Sequence, residues 1–254
     1  EIVFVGQNVN AYKYSLSGRL LGLSDLIEVC GSIDGVERIR YTTSHPLEMT
    51  NDLIEAYGHV PQLVSHLHLP VQSGSNEILA KMKRNYSRED YIEIIKRLLK
   101  VRPNIKISSD FIVGFPNETD FDFQQTMDLI EEIKFDASFS FIYSPRPGTP
   151  ASQLEDTVQL ETKKERLYIL QNRIDDLQLH YSNNLVGTIQ RCLVTGVSKK
   201  DINQLQARTE CNRVVNFDFQ NINILGKLVD IDITKAYQRS LAGKILSPKG
   251  FLKA

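Results

Sequence analysis

Five polar clusters recur along the N-terminal part of the chain, each directly after a short apolar run. They are Gln7 with Asn8, Ser44 with His45, Gln72 with Ser73, Gly114 through Glu118, and Tyr143 with Arg146. The amides of Gln7 and Asn8 either bind a zwitterion or cap their own loop. His45, before Pro46, is either a functional imidazole or an ordinary loop residue. Ser73 is either a ligand contact or a helix-start residue. Arg146 lies between Pro145 and Pro147, where a guanidinium is placed to hold a carboxylate or a phosphate. A ligand beyond Val113 would meet backbone N–H groups and a helix dipole at Gly114 to Thr119. Cys30 reads as core filler, because nothing near it in sequence would activate a thiol.

These clusters need elements to hold them. Lys106–Val113 is short, β-branched and bounded by turn formers, so it reads as a buried strand. Gly114 and Pro116 end it, and Thr119 with Asp122 forms a capping box for a helix to about Lys134. Phe123, Met127, Ile130 and Ile133 make that helix's expected inner face. Glu1–Val5, Arg38–Thr42, Leu67–Gln72 and Ala137–Tyr143 read as further strands. Helices are expected at Leu23–Ile33 (Leu26, Ile27 and Cys30 inward), from Thr50 to Tyr57, after Ser75, and from Ser87 to Val101. Tyr12–Gly22 reads as a polar loop.

Strand and helix alternate with short connections, which means a parallel sheet. Every polar cluster follows a strand, as at the mouth of a (β/α) barrel. Five strands are too few for a closed barrel, so the expected fold is α/β, a partial barrel lacking its first unit, over residues 1–154. Thr157 to about Asn184 is one long helix with Leu167, Leu170, Ile174, Leu177 and Tyr181 at three–four spacing. It is expected to pack on the barrel and bridge, over residues 155–186, to the C-terminal segment. From Gly187 the hydrophobic period changes to two. Five short strands in residues 187–254 predict a small all-β barrel. Such barrels bind RNA through cations and aromatic rings, and Lys199, Lys200, Arg208, Arg213, Phe217 and Tyr237 are the candidates.

The 254 residues suffice for a large domain or a large and a small one. No run approaches the length of a membrane span. The N-terminus has neither a basic start nor a processing site, and lacks an initiator Met, so the chain reads as the interior of a longer protein. Cys30, Cys192 and Cys211 are odd in number and widely spaced. That argues against a disulfide framework and for a reducing, cytoplasmic setting. The net charge of −1 hides an asymmetry: −7 over residues 1–189 and +6 over 190–254. A basic tail on an acidic body points to nucleic acid.

Six segments in order carry a resemblance. They are Gly6-Gln-Asn-Val-Asn-Ala-Tyr12, Thr42-Thr-Ser-His-Pro46, His68-Leu-Pro-Val-Gln-Ser-Gly-Ser75, Ser108 to Thr119, Tyr143-Ser-Pro-Arg-Pro-Gly-Thr-Pro-Ala151 and Arg208-Thr-Glu-Cys-Asn-Arg-Val-Val-Asn-Phe217. Together they resemble the radical S-adenosylmethionine methylthiotransferases, on the tRNA-modifying side of that family. The resemblance covers essentially the whole chain. It implies a radical SAM partial barrel followed by a TRAM barrel that binds tRNA. It implies S-adenosylmethionine and two [4Fe-4S] clusters in the intact enzyme, a reductant, and a monomer acting on the anticodon stem-loop.

The implied reaction cleaves the cofactor to a 5′-deoxyadenosyl radical and installs a methylthio group at C2 of N6-isopentenyladenosine at position 37. By resemblance, Gln7 and Asn8 lie beside the cofactor's amino group, Gln72 and Ser73 near its ribose and carboxylate, and Ile112, Val113 and Gly114 beside its adenine. His45, Tyr143, Arg146, Lys199, Arg208 and Arg213 are the expected substrate contacts. The sequence departs from the family in one respect. The Cys-x3-Cys-x2-Cys loop and the N-terminal cluster domain have no counterpart here, so no residue of this chain is expected to ligate a metal, its catalytic residues stay unassigned, and the piece alone is expected to be inactive. Other readings are a methylthiotransferase for a different tRNA adenosine or a ribosomal protein, and a non-catalytic RNA-binding module.

Overall fold

The computed structural model describes residues 1–199, 201–218 and 222–246. Lys200 lies outside them. The chain divides into two compact units, Glu1–Ile174 and Asp175–Ala254. The first unit runs β1 (Ile2–Phe4), β2 (Lys13–Leu16), β3 (Arg19–Gly22), α1 (Leu23–Gly31), β4 (Ile39–Tyr41), α2 (Asn51–His59), β5 (His66–His68), α3 (Asn76–Lys81), α4 (Arg88–Val101), β6 (Lys106–Val113), α5 (Asp120–Ile133) and β7 (Ala137–Ile142). Helix α6 (Leu160–Asn183) comes next, and then β8 (Ile189–Val197), β9 (Gln204–Arg208), β10 (Val214–Asp218), β11 (Leu228–Tyr237) and β12 (Ser240–Ile245).

In the first unit β1 pairs parallel with β4, and β5, β6 and β7 form a parallel sheet in that order. A parallel bridge between Ile39 and Leu63 joins the two. This is a partial parallel barrel. Alternation along β6 decides its faces. Ile107, Ser109, Phe111 and Val113 are buried. Phe111 meets Phe135 edge-on, and Phe135 packs against Tyr91 of α4, so this face lies under the helices. Ser108, Asp110 and Ile112 occupy the other, inner face.

Several elements differ from expectation, each for a local reason. Tyr12–Gly22 is a β-hairpin, with Ser17 and Gly18 both at positive φ (51° and 82°). Two such residues make the turn that matches strand twist. The strand at Leu67–Gln72 is shorter, since Pro70 cannot donate to a ladder. Gln72 rejoins the sheet through a single bridge to Phe111, with its own φ at +75°. On α1 the buried positions are Leu23, Ser24 and Ile27, while Cys30 is half-buried.

On α5 the buried face carries Asp122, Thr126, Leu129 and Ile130, not Phe123 and Met127. The polar pair is inward because it is hydrogen-bonded. Ser75 Oγ donates to Asp122 (2.5 Å), and the Gly74 N–H donates to Thr126 (2.9 Å). Gly74 lies so close to α5 that a Cβ there would meet Gln125 O and Thr126 Cα at 2.5 Å. The capping boxes at Ser87/Asp90 and Thr119/Asp122, and the caps at Thr50 and Ser75, all form.

The second unit is a closed five-stranded barrel, ordered β10-β12-β11-β8-β9. Alternate residues of each strand fill it: Cys192 and Val194, Leu205 and Ala207, Val215 and Phe217, Val229, Ile231 and Ile233, and Leu241. Ring closure leaves no open sheet edge.

Candidate functional site

A cavity of about 730 Å³ opens at the carboxyl ends of β6 and β7. Gln72, Asp110, Ile112, Phe141, Tyr143 and Arg146 line it, with Lys81, Lys83 and Arg84 at one wall. Its make-up is aromatic and apolar walls with one carboxylate, one amide and several cations. Two polar atoms there are buried without a hydrogen-bond partner: Asp110 Oδ1 and the Tyr143 hydroxyl. Orphaned atoms of this kind at a cavity wall call for a ligand that donates and accepts hydrogen bonds. A nucleoside with a zwitterionic tail meets that need. The diol suits the carboxylate and amide, the base suits Ile112 and the rings, and a carboxylate suits the cations. These residues fit S-adenosylmethionine. Asp110 and Arg84 were not singled out in the sequence; alternation along β6 was the available signal for Asp110.

The remaining expected contacts of the first unit are in different states. Gln7 and Asn8 are exposed in the loop after β1, and the cavity lining does not include them. Asn10, two residues on, is buried and clamps the next loop: its amide donates to His45 O (2.9 Å) and accepts from the His45 N–H (2.8 Å). His45 caps a short turn by accepting from the Leu47 N–H, and its ring meets Tyr86 edge-on. Burial, then Arg84, holds its imidazole below the ordinary value. Ser73 is fully buried, 3.3 Å from Thr126 Oγ1, and accepts from the Ser75 N–H. Its hydroxyl therefore braces the loop against α5. Val113 faces the helices and is fully buried.

Gly114 is enclosed as well. Its φ is +67°, and a Cβ would collide with the Lys163 side chain from α6. Its N–H donates to Glu118 (2.8 Å), and Arg166 donates to the same carboxylate oxygen (2.8 Å). Burial pushes the Glu118 carboxyl up, against the pull of the Gly114 N–H and Arg166. Lys163, itself buried, pairs with Asp156 and sits 5.8 Å from the Tyr143 ring centroid. Two cations on α6 thus close over the strand end. The apolar spacing of that helix gave no sign of them, because a buried Lys or Arg reads as a polar residue.

In the second unit the candidate RNA contacts separate. Lys199 is exposed. Arg208 donates to Asn212 O and Oδ1 (3.0 and 3.1 Å). Phe217 is core. Arg213 departs from the expectation of an outward side chain. It is 8% exposed, and its guanidinium donates to Ser182 (3.0 Å), Cys211 (3.2 Å) and Gln178 O (3.5 Å). It clasps the β9–β10 turn to the end of α6. On the outer face Arg191 opposes Asp230, and Lys244 opposes Asp232, so cross-strand pairing offsets those cations. Lys235, past a bulge in β11, lies 4.9 Å over the exposed Tyr237 ring.

Among the described residues no group of three or more His, Cys, Asp or Glu could hold a metal ion. Cys30 is in the first unit, while Cys192 and Cys211 are in the second. The described residues do not fit an iron–sulfur cluster. No described helix is long and apolar enough to cross a membrane.

Comparison with known proteins agrees with this geometry. The Radical SAM superfamily model matches residues 1–130, and the TRAM domain model matches residues 184–246. The chain belongs to the radical SAM superfamily. It is 56% identical to a tRNA-2-methylthio-N(6)-dimethylallyladenosine synthase of Hahella chejuensis over 245 residues, 96% of this chain and 55% of that protein. It is likewise 56% identical to the synthase of that name from Alcanivorax borkumensis, over 96% of this chain and 55% of that one. For Histophilus somni the figures are 54%, 97% and 52%. The chain spans about half the length of the curated relatives it matches. Among solved structures, a coproporphyrinogen III oxidase from Escherichia coli, described as a radical SAM enzyme, aligns with a TM-score of 0.48 at 15% identity. That alignment covers 74% of this chain and 50% of the oxidase.

Proposed function

We propose that the whole protein is a tRNA methylthiotransferase that adds a methylthio group to C2 of N6-isopentenyladenosine at position 37. The observation that carries this reading is identity above one half to synthases of that name along 96% of the chain, through both units. The cavity supports it. Gln72 and Asp110 would hold the ribose of S-adenosylmethionine, Ile112 and Phe141 its adenine, and Arg84 its carboxylate. When bound and reductively cleaved, this cofactor supplies the hydrogen-abstracting chemistry. The chain's own residues bind and orient it, and keep water from the reacting carbon. Both [4Fe-4S] clusters of this reading are held by residues of the whole protein outside this chain, and an electron donor reduces them.

Tyr143 and Arg146, just beyond β7, are the substrate-side candidates. The orphaned Tyr143 hydroxyl would donate to the base, and Arg146 would take a backbone phosphate. Gln7, Asn8 and His45 are proposed for the rim. Ser73, Val113 and Gly114 shape the site through the backbone. The TRAM barrel would supply sequence-independent phosphate contacts from Lys199, Lys235 and neighbours, with Tyr237 available for stacking. Asn212 and Arg208 present the β9–β10 turn. The expected setting is the cytoplasm.

The test uses the full-length protein with its clusters, S-adenosylmethionine, a reductant and an anticodon stem-loop carrying N6-isopentenyladenosine. Mass spectrometry of the digested RNA should show the methylthio product. It should be absent when the adenosine is unprenylated. Equal modification of both RNAs would contradict the substrate assignment, and modification of a ribosomal protein instead would favour the other branch of the family.

A further inference from the structure

Five side chains from β4, β5 and β6 form a continuous polar line beside the cavity. Arg40 Nη1 lies 3.2 Å from His66 Nδ1, and His66 Nε2 lies 3.3 Å from Ser108 Oγ. Ser108 Oγ lies 3.0 Å from His68 Nδ1, and His68 Nε2 lies 3.3 Å from Asp110 Oδ1. Register brings them together, since His68 opposes Ser108 on the neighbouring strand. The His68 ring is also held edge-on to Phe139 at 5.9 Å.

Arg40 sets the direction at the head of the line. A guanidinium only donates. Arg40 is buried, and its Nε lies 3.5 Å from Glu1. It therefore makes His66 Nδ1 an acceptor and leaves the proton of a neutral His66 on Nε2. That N–H donates to Ser108. When the serine hydroxyl directs its own proton to His68 Nδ1, 3.0 Å away, the His68 proton is left on Nε2, toward Asp110. The second nitrogen of each ring is set by the bond the first one makes. The last link is incomplete. His68 reaches 3.3 Å from Asp110 Oδ1 without hydrogen-bond alignment, and Oδ1 is buried with no hydrogen-bond partner. An acceptor left in this state favours any rearrangement that satisfies it. Asp110 is at the cavity wall.

We propose that Arg40, His66, Ser108 and His68 form a one-way hydrogen-bond relay that positions the Asp110 carboxylate for a vicinal diol, and that diol binding closes the His68–Asp110 link. His68 is the positioning residue. It touches the carboxylate and acts on the ligand through it. The inference rests on the assignment of the cavity to a ribonucleoside cofactor. It adds the device that makes this cavity select ribose.

The test measures diol preference rather than affinity alone. Full-length protein is titrated calorimetrically with S-adenosylhomocysteine and with its 2′,3′-dideoxy analogue. The wild type should prefer the diol. His68→Ala should lower that preference about tenfold, the scale of one hydrogen bond to a charged group, and leave the dideoxy affinity unchanged. Ser108→Ala removes one oxygen from the middle of the relay and should do the same. His68→Gln, which keeps an N–H donor, should recover part of the preference. Equal loss for both ligands, with a lowered melting temperature, would make His68 a packing residue and overturn the relay. An unchanged preference in both alanine variants would also overturn it while leaving the cavity assignment intact. Failure of the wild type to bind S-adenosylhomocysteine would overturn the cavity assignment and the relay together.

Discussion

Arg166 shows how strongly single residues shape the strand-end region. Its side chain is 6% exposed and pairs with Glu118, whose side chain is 1% exposed. Its second partner, Asp120, is 97% exposed and contributes little. Removing one member of a buried pair leaves the other charge unmatched, at a cost of about 3–5 kcal/mol. Arg166→Met should therefore lower unfolding free energy by that amount in urea denaturation of the chain. Arg166→Met combined with Glu118→Gln should recover most of it. Additive losses would show that the pair is not coupled. Gly114→Ala forces a Cβ into Lys163 at a left-handed φ and should cost more than the roughly 1 kcal/mol of an ordinary glycine replacement. Gly114 and Glu118 were legible from the sequence as a strand-end turn. Arg166 and Lys163 were not, because Arg166 and Glu118 lie 48 residues apart in sequence and Lys163 covers a glycine on a distant strand end. Spacing on one helix does not report a contact made with another segment.

At the scale of elements, Asp122 ties the starts of two helices together. It caps α5 at Thr119 and accepts from Ser75, which itself caps α3. Burial alone would raise its carboxyl, but hydrogen bonds from Ser75 and Thr119 outweigh burial and hold it below its ordinary 3.8. A depressed carboxyl stabilises the fold above its ordinary value and gives that stability up as pH falls through the depressed one. Asp122→Asn should thus cost about 1–3 kcal/mol near pH 7 and flatten the loss of stability below pH 3.8. An acid limb identical to the wild type would contradict this. The caps were readable because Ser/Thr and Asp at three-residue spacing satisfy the same N–H groups in any context. The inner face of α5 was misread, since a 3.6-residue period counts apolar positions and Asp122 and Thr126 are buried by their bonds. The hairpin at Lys13–Gly22 was missed for a related reason. Its strands are largely exposed, so no alternation marks them, and only the Ser17-Gly18 turn does.

At the scale of the whole molecule, a partial parallel barrel with a ligand cavity and a closed β-barrel lie in one chain. The excess of +6 in residues 190–254 pointed to the second as the nucleic-acid partner, and the strand count was legible from period-two patterning. Which cations face outward was not, because burial of Arg213 depends on Ser182 and Gln178 at the end of α6. In the full-length protein, Lys235→Ala should weaken tRNA binding and reduce the salt slope by about one phosphate contact. Arg213→Ala should instead lower thermal stability and leave the slope of the folded protein unchanged. The opposite pattern would return Arg213 to the RNA surface. The central claim is that the cavity holding Asp110 serves tRNA methylthiolation. Its most direct test is nucleoside analysis of total tRNA from cells that lack their own enzyme and express the full-length protein. Wild-type protein should restore 2-methylthio-N6-isopentenyladenosine, and Asp110→Ala at equal expression should leave the unthiolated N6-isopentenyladenosine. Full restoration by Asp110→Ala, or none by the wild type, would contradict the account.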